Sequence, residues 1–297
     1  MDRFDFYHLY LLPLGRRWRY LMEPLNPMSF FDRFRKKKTQ KASKGEHATR
    51  HCFVLCKTVE PQSLSNAASI VSDVFGSEYS VECDEKNLVT VSRGEEVIGF
   101  LAHMPIAIPG GEAEENADGN FLWPEGREEA AKHRSHVIVT NIGAGEQSPI
   151  QSAIAVSRLA LVALKLFDGL GVYWGSANVC NSRAIFEDLC EGMSEEHVPV
   201  PIWIRFQLVR ASGDGVGIYT LGMRQFDLMD IEVDRCNLDV SDLFEFVSNI
   251  AHYLIQSGPV IADGNTVGGT EEERIKVHHR PSMIDKTKKV YKIVFEG

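Results

Sequence analysis

The sequence predicts an α+β fold with a mixed sheet, a central buried helix over residues 149–167 and packed flanking helices. Two observations carry this prediction. Helix-length and strand-length apolar runs alternate early in the chain, whereas strand-length runs cluster late. The longest helical run has almost no polar face, which is typical of a helix buried on all sides. With 297 residues, the chain is long enough to bury a sizeable hydrophobic core.

The centre of the chain predicts a unit of strand, loop, helix and strand. Residues 135–140 are apolar and β-branched without clean alternation, which is typical of a strand covered on both faces. Ser148 can cap the helix that follows, Pro149 suits its first turn, and Gln151 completes a capping box. Residues 171–175 are predicted to form a second interior strand.

Shorter patterns predict the flanking elements. Helices are expected at residues 63–75, 123–132, 182–191 and 240–256. Strands are expected at residues 52–59, 88–91, 97–102, 201–209, 216–221, 225–233, 275–278 and 290–295. Residues 110–120 carry four carboxylates on a Gly, Ala and Asn background and are predicted to form a loop. A cation site there stays open, although a solvated loop is favoured because the spacing is not that of an EF-hand.

Charge divides the chain into a basic head and an acidic body. Residues 1–50 hold 12 Lys and Arg against 5 Asp and Glu, whereas residues 51–297 hold 20 against 36. We expect residues 1–48 to be a basic, disordered N-terminal segment and residues 49–297 to form a single mixed α+β domain. The residues after Met28 are typical of a natural protein start, so translation is expected to begin at Met22 or Met28.

The charge distribution also bears on partners. An acidic body disfavours a nucleic-acid surface and favours either plain solubility or a basic protein partner. Between Phe30 and Lys44, Phe and basic residues are interleaved, so weak contact with an anionic membrane stays open beside a solubilising tail. We therefore expect a cytoplasmic protein, with a peripheral position at the inner membrane face as the alternative.

Cysteine and histidine patterns give no metal or catalytic signature. The six cysteines are scattered in apolar surroundings without a disulfide framework, which indicates reduced cytosolic thiols. Cys52 and Cys56 share one face of a strand, but no Cys/His pair with zinc-site spacing accompanies them. The sequence also has no His-Glu-x-x-His motif and no nucleophile elbow. We therefore predict no cofactor, no metal and no catalytic residue.

Ligand-binding candidates lie around the ends of the central strands. Gly143 and Gly145 belong to a glycine-containing loop before the helix, where a phosphate could be held, although a carboxylate in the loop opposes this. Trp174 and Asn178 end the second strand and offer a stacking face and an amide. His136 is the titratable candidate. Core packing is the favoured alternative for Trp174, and a hydrogen-bonded structural role for His136.

Five segments stand out as a set: HVIV (136–139), the Ala/Leu-rich helix, GVYW (171–174), YTLGMRQF (219–226) and DGNTVG (263–268). Together they resemble the bacterial family of domain of unknown function 4261. The resemblance covers about residues 50–297. It implies one integrated domain in a bacterial, cytosolic protein, and it brings no established activity, ligand or catalytic residue.

The leading hypothesis is a non-catalytic cytosolic binding or interaction module that binds a basic protein partner, as small immunity or regulatory proteins do. It is motivated by the missing catalytic motifs and the acidic body. One alternative is a hydrolase or nucleotide-handling enzyme with its site at the strand ends near 143–145 and 174–178. Another is a membrane-surface adaptor recruited through residues 28–44.

Overall fold

The computed structural model describes residues 51–60, 63–84, 88–142, 147–211, 215–268 and 273–295. The first sheet is built from β1 (His51–Cys56), β2 (Tyr79–Cys83), β3 (Leu88–Arg93), β4 (Glu96–Met104), β5 (Ser135–Asn141), β6 (Gly169–Trp174) and β7 (Val179–Ser182). The second is built from β8 (Arg205–Arg210), β9 (Val216–Leu221), β10 (Ile231–Cys236), β11 (Thr266–Val267), β12 (Ile275–Pro281) and β13 (Lys289–Val294).

Seven helices accompany these strands within the described residues, which confirms the predicted α+β class. They are α1 (Ala67–Phe75), α2 (Glu112–Ala117), α3 (Gly126–Ala130), α4 (Pro149–Leu166), α5 (Arg183–Cys190), α6 (Val200–Trp203) and α7 (Val240–Ser257). Short 3-10 turns add Pro109–Gly111, Gly175–Ala177 and Met223–Phe226. The predicted N-terminal segment 1–48, with its two candidate start codons, lies outside the described residues.

The first sheet is antiparallel throughout, in the order β2-β3-β4-β5-β1-β6-β7. Because β1 lies between β5 and β6 and is antiparallel to both, β5 and β6 run parallel to each other. The helix α4 connects them, so the predicted strand, loop, helix and strand unit is present with β1 inserted into it. The C-terminal ends of β5 and β6 and the N-terminal end of β1 therefore lie side by side at one end of the strands.

The second sheet has the order β11-β12-β13-β10-β9-β8. Its neighbours are antiparallel except for β10 and β13, which pair in parallel, so this sheet is mixed. The amphipathic helix α7 packs against it and buries the apolar side that the sequence pattern predicts, including Leu243, Val247 and Leu254.

The helix α4 begins and ends almost where its sequence pattern predicts. The Ser148 side chain accepts the Gln151 backbone N–H at 3.1 Å, and the Gln151 side chain accepts the Ser148 backbone N–H at 3.0 Å. This reciprocal pair is the predicted capping box. The helix packs across β1, β4, β5 and β6, and α1 packs against it in turn.

By length and composition alone, α4 could cross a membrane, and it is the only helix in the described ranges of which this is true. In the fold, 61% of this stretch is buried against the rest of the protein. A core helix passes the same test of length and composition, so the helix carries no information about location.

One hydrophobic cluster joins α4, α7 and both sheets. Part of the junction is aromatic: the rings of Trp174 and Trp203 lie 6.3 Å apart, and those of Trp203 and Phe226 lie 5.7 Å apart. Trp174 belongs to the first sheet, Trp203 to α6 and Phe226 to the turn between β9 and β10. The two sheets therefore share a core.

Some predicted elements are corrected by the structure. Residues 110–120, expected to be a loop, contain α2, because carboxylates suit the positive end of a helix and Ala113 and Ala117 bury one side of it. The strand expected at 225–233 begins only at Ile231, because Asp230 accepts the Met223 backbone N–H and holds a turn before it. The strand expected at 201–209 begins at Arg205, because residues 200–203 form α6. The short strands β2, β7 and β11 were not predicted.

The capping box offers a test of the fold. Replacing Ser148 with Ala should lower the free energy of unfolding by about 1 kcal/mol, because the first turn of α4 loses its side-chain acceptor. The midpoint of urea unfolding measures this change. Ser148→Asp is the matched control, because a carboxylate still accepts the Gln151 N–H. Equal loss in both variants would contradict the assigned role of the cap.

Candidate functional site

The predicted site residues that the structure describes do not share one face of the first sheet. His136 lies on the face away from α4, as does Tyr173, whose hydroxyl approaches the side chain of Asn178 at 3.2 Å. Trp174, the next residue after Tyr173, lies on the α4 face and belongs to the main core cluster. Gly143 and Gly145 lie outside the described residues.

Trp174 occupies a closed position. Its side chain is 1% exposed, and its indole N–H donates to the Gln225 side-chain oxygen at 3.0 Å. The Gln225 amide group in turn donates to the carbonyl oxygens of Trp203 and Gly222. Trp174 therefore packs in the core at the junction between the two sheets and has no free ring face at the end of β6. Core packing was the favoured interpretation of its role.

Asn178 is exposed and lies at a polar seam between the two sheets. Its backbone is left-handed, with φ of 51°, and its carbonyl oxygen accepts from the Arg205 guanidinium at 2.9 Å. Arg205 also donates to the Asn116 side chain, and the Tyr173 hydroxyl donates to Glu112 at 2.7 Å. Burial, followed by the bond to Glu112, raises the pKa of Tyr173, so this phenol is a poor acid at neutral pH.

His136 anchors the chain that leaves β4. Its Nδ1 donates to the Ile106 carbonyl oxygen at 2.8 Å, and burial lowers its pKa even though this bond opposes the change. The imidazole is therefore neutral at neutral pH. Its ring meets Phe53 edge-on at 5.9 Å, and Phe53 stacks on Tyr173 at 5.8 Å. The result is an aromatic row across the centre of this face.

The pair of His103 and Ser135 resembles a base and its nucleophile, but the hydroxyl hydrogen of Ser135 does not point to His103. The Ser135 hydroxyl donates its only hydrogen to the Thr58 carbonyl oxygen. His103 Nε2, 3.1 Å from the same hydroxyl oxygen, must therefore be the donor. A general base has to accept that hydrogen, and Ser135 is fully buried. The pair is structural in this arrangement.

The cysteines show no activated thiol. Burial raises the pKa of Cys56 to about 12 and raises the pKa of Cys52, Cys180 and Cys190 further. A reactive thiol requires the opposite change, because the thiolate is the nucleophile. Cys83 is exposed, but partial burial and the neighbouring Asp84 raise its pKa as well.

Metal and small-molecule sites were sought among the same residues. Within the described ranges, no three His, Cys, Asp or Glu side chains come together as metal ligands. Three of the four carboxylates of residues 110–120 face different groups: Glu112 accepts from Tyr173, Asp118 pairs with Arg127 at 2.8 Å, and Glu114 lies 3.7 Å from His133 Nδ1. A small cleft between Asn120 and Phe206 is lined by neither a histidine nor a carboxylate.

The most unusual surface is the exposed part of the face away from α4, which we call the open face. Cross-strand partners share a face, so the register of β3, β4, β5 and β1 aligns its side chains. The apolar ones are Leu88, Phe100, Ala102, Met104, Ile138 and Phe53, and the half-buried Thr90 and Thr140 share the face with them. All are half-buried or exposed, with Met104 at 36%. Just beyond the strand ends, Ile106 is 54% and Ile142 is 51% exposed.

The opposite face of the same strands is closed. Val89, Leu101, Val137 and Val139 have no exposed surface. An antiparallel sheet with one solvated face normally alternates apolar and polar residues, and here the solvated positions are largely apolar as well. The missing alternation in residues 135–140 was the signal in the sequence, but the sequence did not show which face would stay uncovered.

Carboxylates border the open face. The segment from Ile108 to Ala130 covers the end of this face at β6 and β7, where Leu55, Tyr173 and Cys180 are buried with it. It carries four exposed carboxylates, Glu112, Glu115, Glu125 and Glu128, which we call the acidic rim, and one exposed Arg127, which pairs with Asp118. At the other side of the face, the exposed Glu82 of β2 stands opposite Thr90. The open face is thus largely apolar, and the segment that covers one end of it has an excess of carboxylates.

Comparison with known proteins gives a match for part of the chain. The family described as domain of unknown function (DUF4261) matches residues 219–294, which confirms the resemblance over that range. The match begins in β9, includes α7 and ends with β13. No curated protein and no solved structure matches the chain.

Thiol labelling tests whether the cysteines are buried and unactivated. We expect one thiol per folded chain to react with Ellman's reagent, because Cys83 alone among the six described cysteines is exposed. The reaction should be slower than with a free cysteine, since the pKa of Cys83 is raised. All six should react after unfolding in guanidinium chloride. Fast labelling that survives Cys83→Ser would reveal an activated thiol and contradict this account.

Proposed function

We propose that this protein, whose residues 219–294 match the DUF4261 family, is a non-catalytic binding module that holds a basic, apolar segment of a protein partner on its open face. The observation that carries the proposal is an apolar sheet face exposed beside an acidic rim. Exposed apolar surface with polar borders is typical of protein-interaction sites.

The charge of the surroundings defines the chemistry of the partner. The body outside the first 50 residues carries a large excess of acidic residues, and Glu112, Glu115, Glu125 and Glu128 lie exposed on the segment that covers one end of the open face. Such a border attracts Lys and Arg and disfavours acidic partners. The apolar side chains at its centre, such as Phe100 and Met104, suit aromatic or aliphatic anchors. A segment that mixes the two residue types fits both regions.

The chemistry of the described site supports binding over catalysis. Ser135 cannot pass its hydrogen to His103, the thiols have raised pKa values, and Trp174 is closed into the core. The enzyme alternative keeps the loop with Gly143 and Gly145, which lies outside the described residues. No observation in the described part favours it.

A bacterial, cytoplasmic setting completes the proposal. All six cysteines are free in the structure, as suits a reducing compartment. The resemblance to a bacterial family supports the same setting.

Partner capture from native lysate tests the proposal with two matched variants of the full chain. Met104→Lys/Ile106→Lys places two charges on the open face, at side chains that are 36% and 54% exposed. Met283→Lys/Ile284→Lys makes the same change beside the second sheet, at positions that are 36% and 55% exposed. We expect the first variant to reduce capture about tenfold or more, because lysines would lie in the apolar centre of the interface. The second should retain it.

The purified partner should then bind with a dissociation constant that rises with salt, as expected for a basic segment beside an acidic border. Equal capture by the two variants would place the interface elsewhere and contradict the proposal. A thermal shift with a nucleotide or metabolite, abolished by Asn178→Ala, would favour the enzyme instead.

A further inference from the structure

The open face lacks a cover that its composition requires. In β5, Val137 and Val139 are fully buried against α4, while Ile138 between them is half-buried on the other face. Strands that are apolar on both faces are normally covered on both faces. The segment from Ile108 to Ala130 covers this face only toward β6 and β7. Over β3, β4 and β5 the described residues leave it partly exposed: Leu88, Phe100, Ala102 and Ile138 are half-buried, and Met104 is 36% exposed.

The first 50 residues join the described structure at this surface. They enter β1 at His51, in the interior of the sheet, with β5 on one side and β6 on the other. The His51 side chain lies on the same face as Phe53, and the two rings meet edge-on at 5.6 Å. His51 is also the cross-strand partner of Thr140, which follows Ile138 on this face. The preceding chain therefore starts from the border of the open face.

The composition of the preceding chain complements the open face. Residues 28–38 read MSFFDRFRKKK, with three Phe among five basic residues and one Asp. Phe side chains suit the apolar centre, and the basic residues suit the acidic rim. The twelve residues 39–50 can extend to about 40 Å, whereas seven strands span only about 30 Å across a sheet. Length therefore lets residues 28–38 reach any part of the open face.

We propose that residues 28–38 of the same chain dock on the open face, with Phe30, Phe31 and Phe34 against Phe100, Met104 and Ile138, and their basic residues toward the acidic rim. This inference rests on the proposed function, because it assigns an internal competitor to the surface where the partner binds. Tethering gives the segment an effective concentration in the millimolar range, so even weak affinity keeps it docked. A partner binds by displacing it, and its affinity is reduced by the docked fraction.

Hydroxyl-radical footprinting of the full chain tests the contact directly. Met104 reports on the open face, and Met283, which is also 36% exposed, serves as the internal reference on the second sheet. The wild type is compared with the full-length variant Phe30→Ser/Phe31→Ser/Phe34→Ser, which changes no residue of the described core. Oxidation of Met104 should be about threefold faster in the variant, as expected when a segment docked about two thirds of the time is released. Oxidation of Met283 should be equal in both.

Charge and concentration complete the test. Arg35→Glu/Lys36→Glu/Lys37→Glu should also expose Met104, because it reverses the charges that face the acidic rim. Protection of Met104 should not change on dilution, since the contact is within one chain; protection lost on dilution would mean contact between two copies and would overturn the proposal. Equal Met104 oxidation in wild type and the Phe variant would overturn it as well. If that result came with salt-dependent binding to phosphatidylserine vesicles, the segment would belong to a membrane.

The two proposals fail separately. Partner capture that depends on Met104 and Ile106, together with equal footprints in the two chains, would leave the binding module in place and remove the internal competitor. Protection of Met104 by residues 28–38, without any captured partner, would establish the docked segment and leave the proposed function without support.

Discussion

The packing of α4 against the first sheet is the interaction on which the rest of the structure depends. The helix is capped by Ser148 and Gln151 and connects β5 to β6, with β1 inserted between them. Its apolar side chains close one face of the central strands, where Val137 and Val139 have no exposed surface. Because this face is closed, the apolar residues that alternate with the buried ones must point to the opposite side. The open face is thus a direct consequence of the apolar residues that occupy both sides of the central strands.

Only one end of that second face is covered in the described structure. The segment with α2 and α3 covers one end, held by Tyr173, His136 and the polar seam around Arg205. The rest stays largely apolar and partly exposed. Tyr173, His136 and Arg205 at the covered end each hold a hydrogen-bond partner within the protein.

The sequence predicted the elements whose signals are local. The limits of α4 follow from a capping box and a continuous apolar run, and α7 follows from its amphipathic period. It did not predict that β1 separates β5 from β6, because pairing between distant strands leaves no local signal. Trp174 and Asn178 were both placed at a strand end, but alternation sends the Trp174 ring into the core and leaves Asn178 at the seam. Phe100 and Met104 were missed as site residues, since their exposure depends on what covers the sheet.

We propose that the open face recognises basic segments that carry aromatic anchors. The sharpest measurement is a calorimetric titration with a synthetic peptide of residues 28–44, using the full chain with Phe30, Phe31 and Phe34 replaced by Ser so that its own segment cannot compete. We predict one peptide per chain, binding that weakens with salt, and loss of binding when Met104→Lys/Ile106→Lys is added. Absence of binding, or binding that this addition leaves unchanged, would contradict the account.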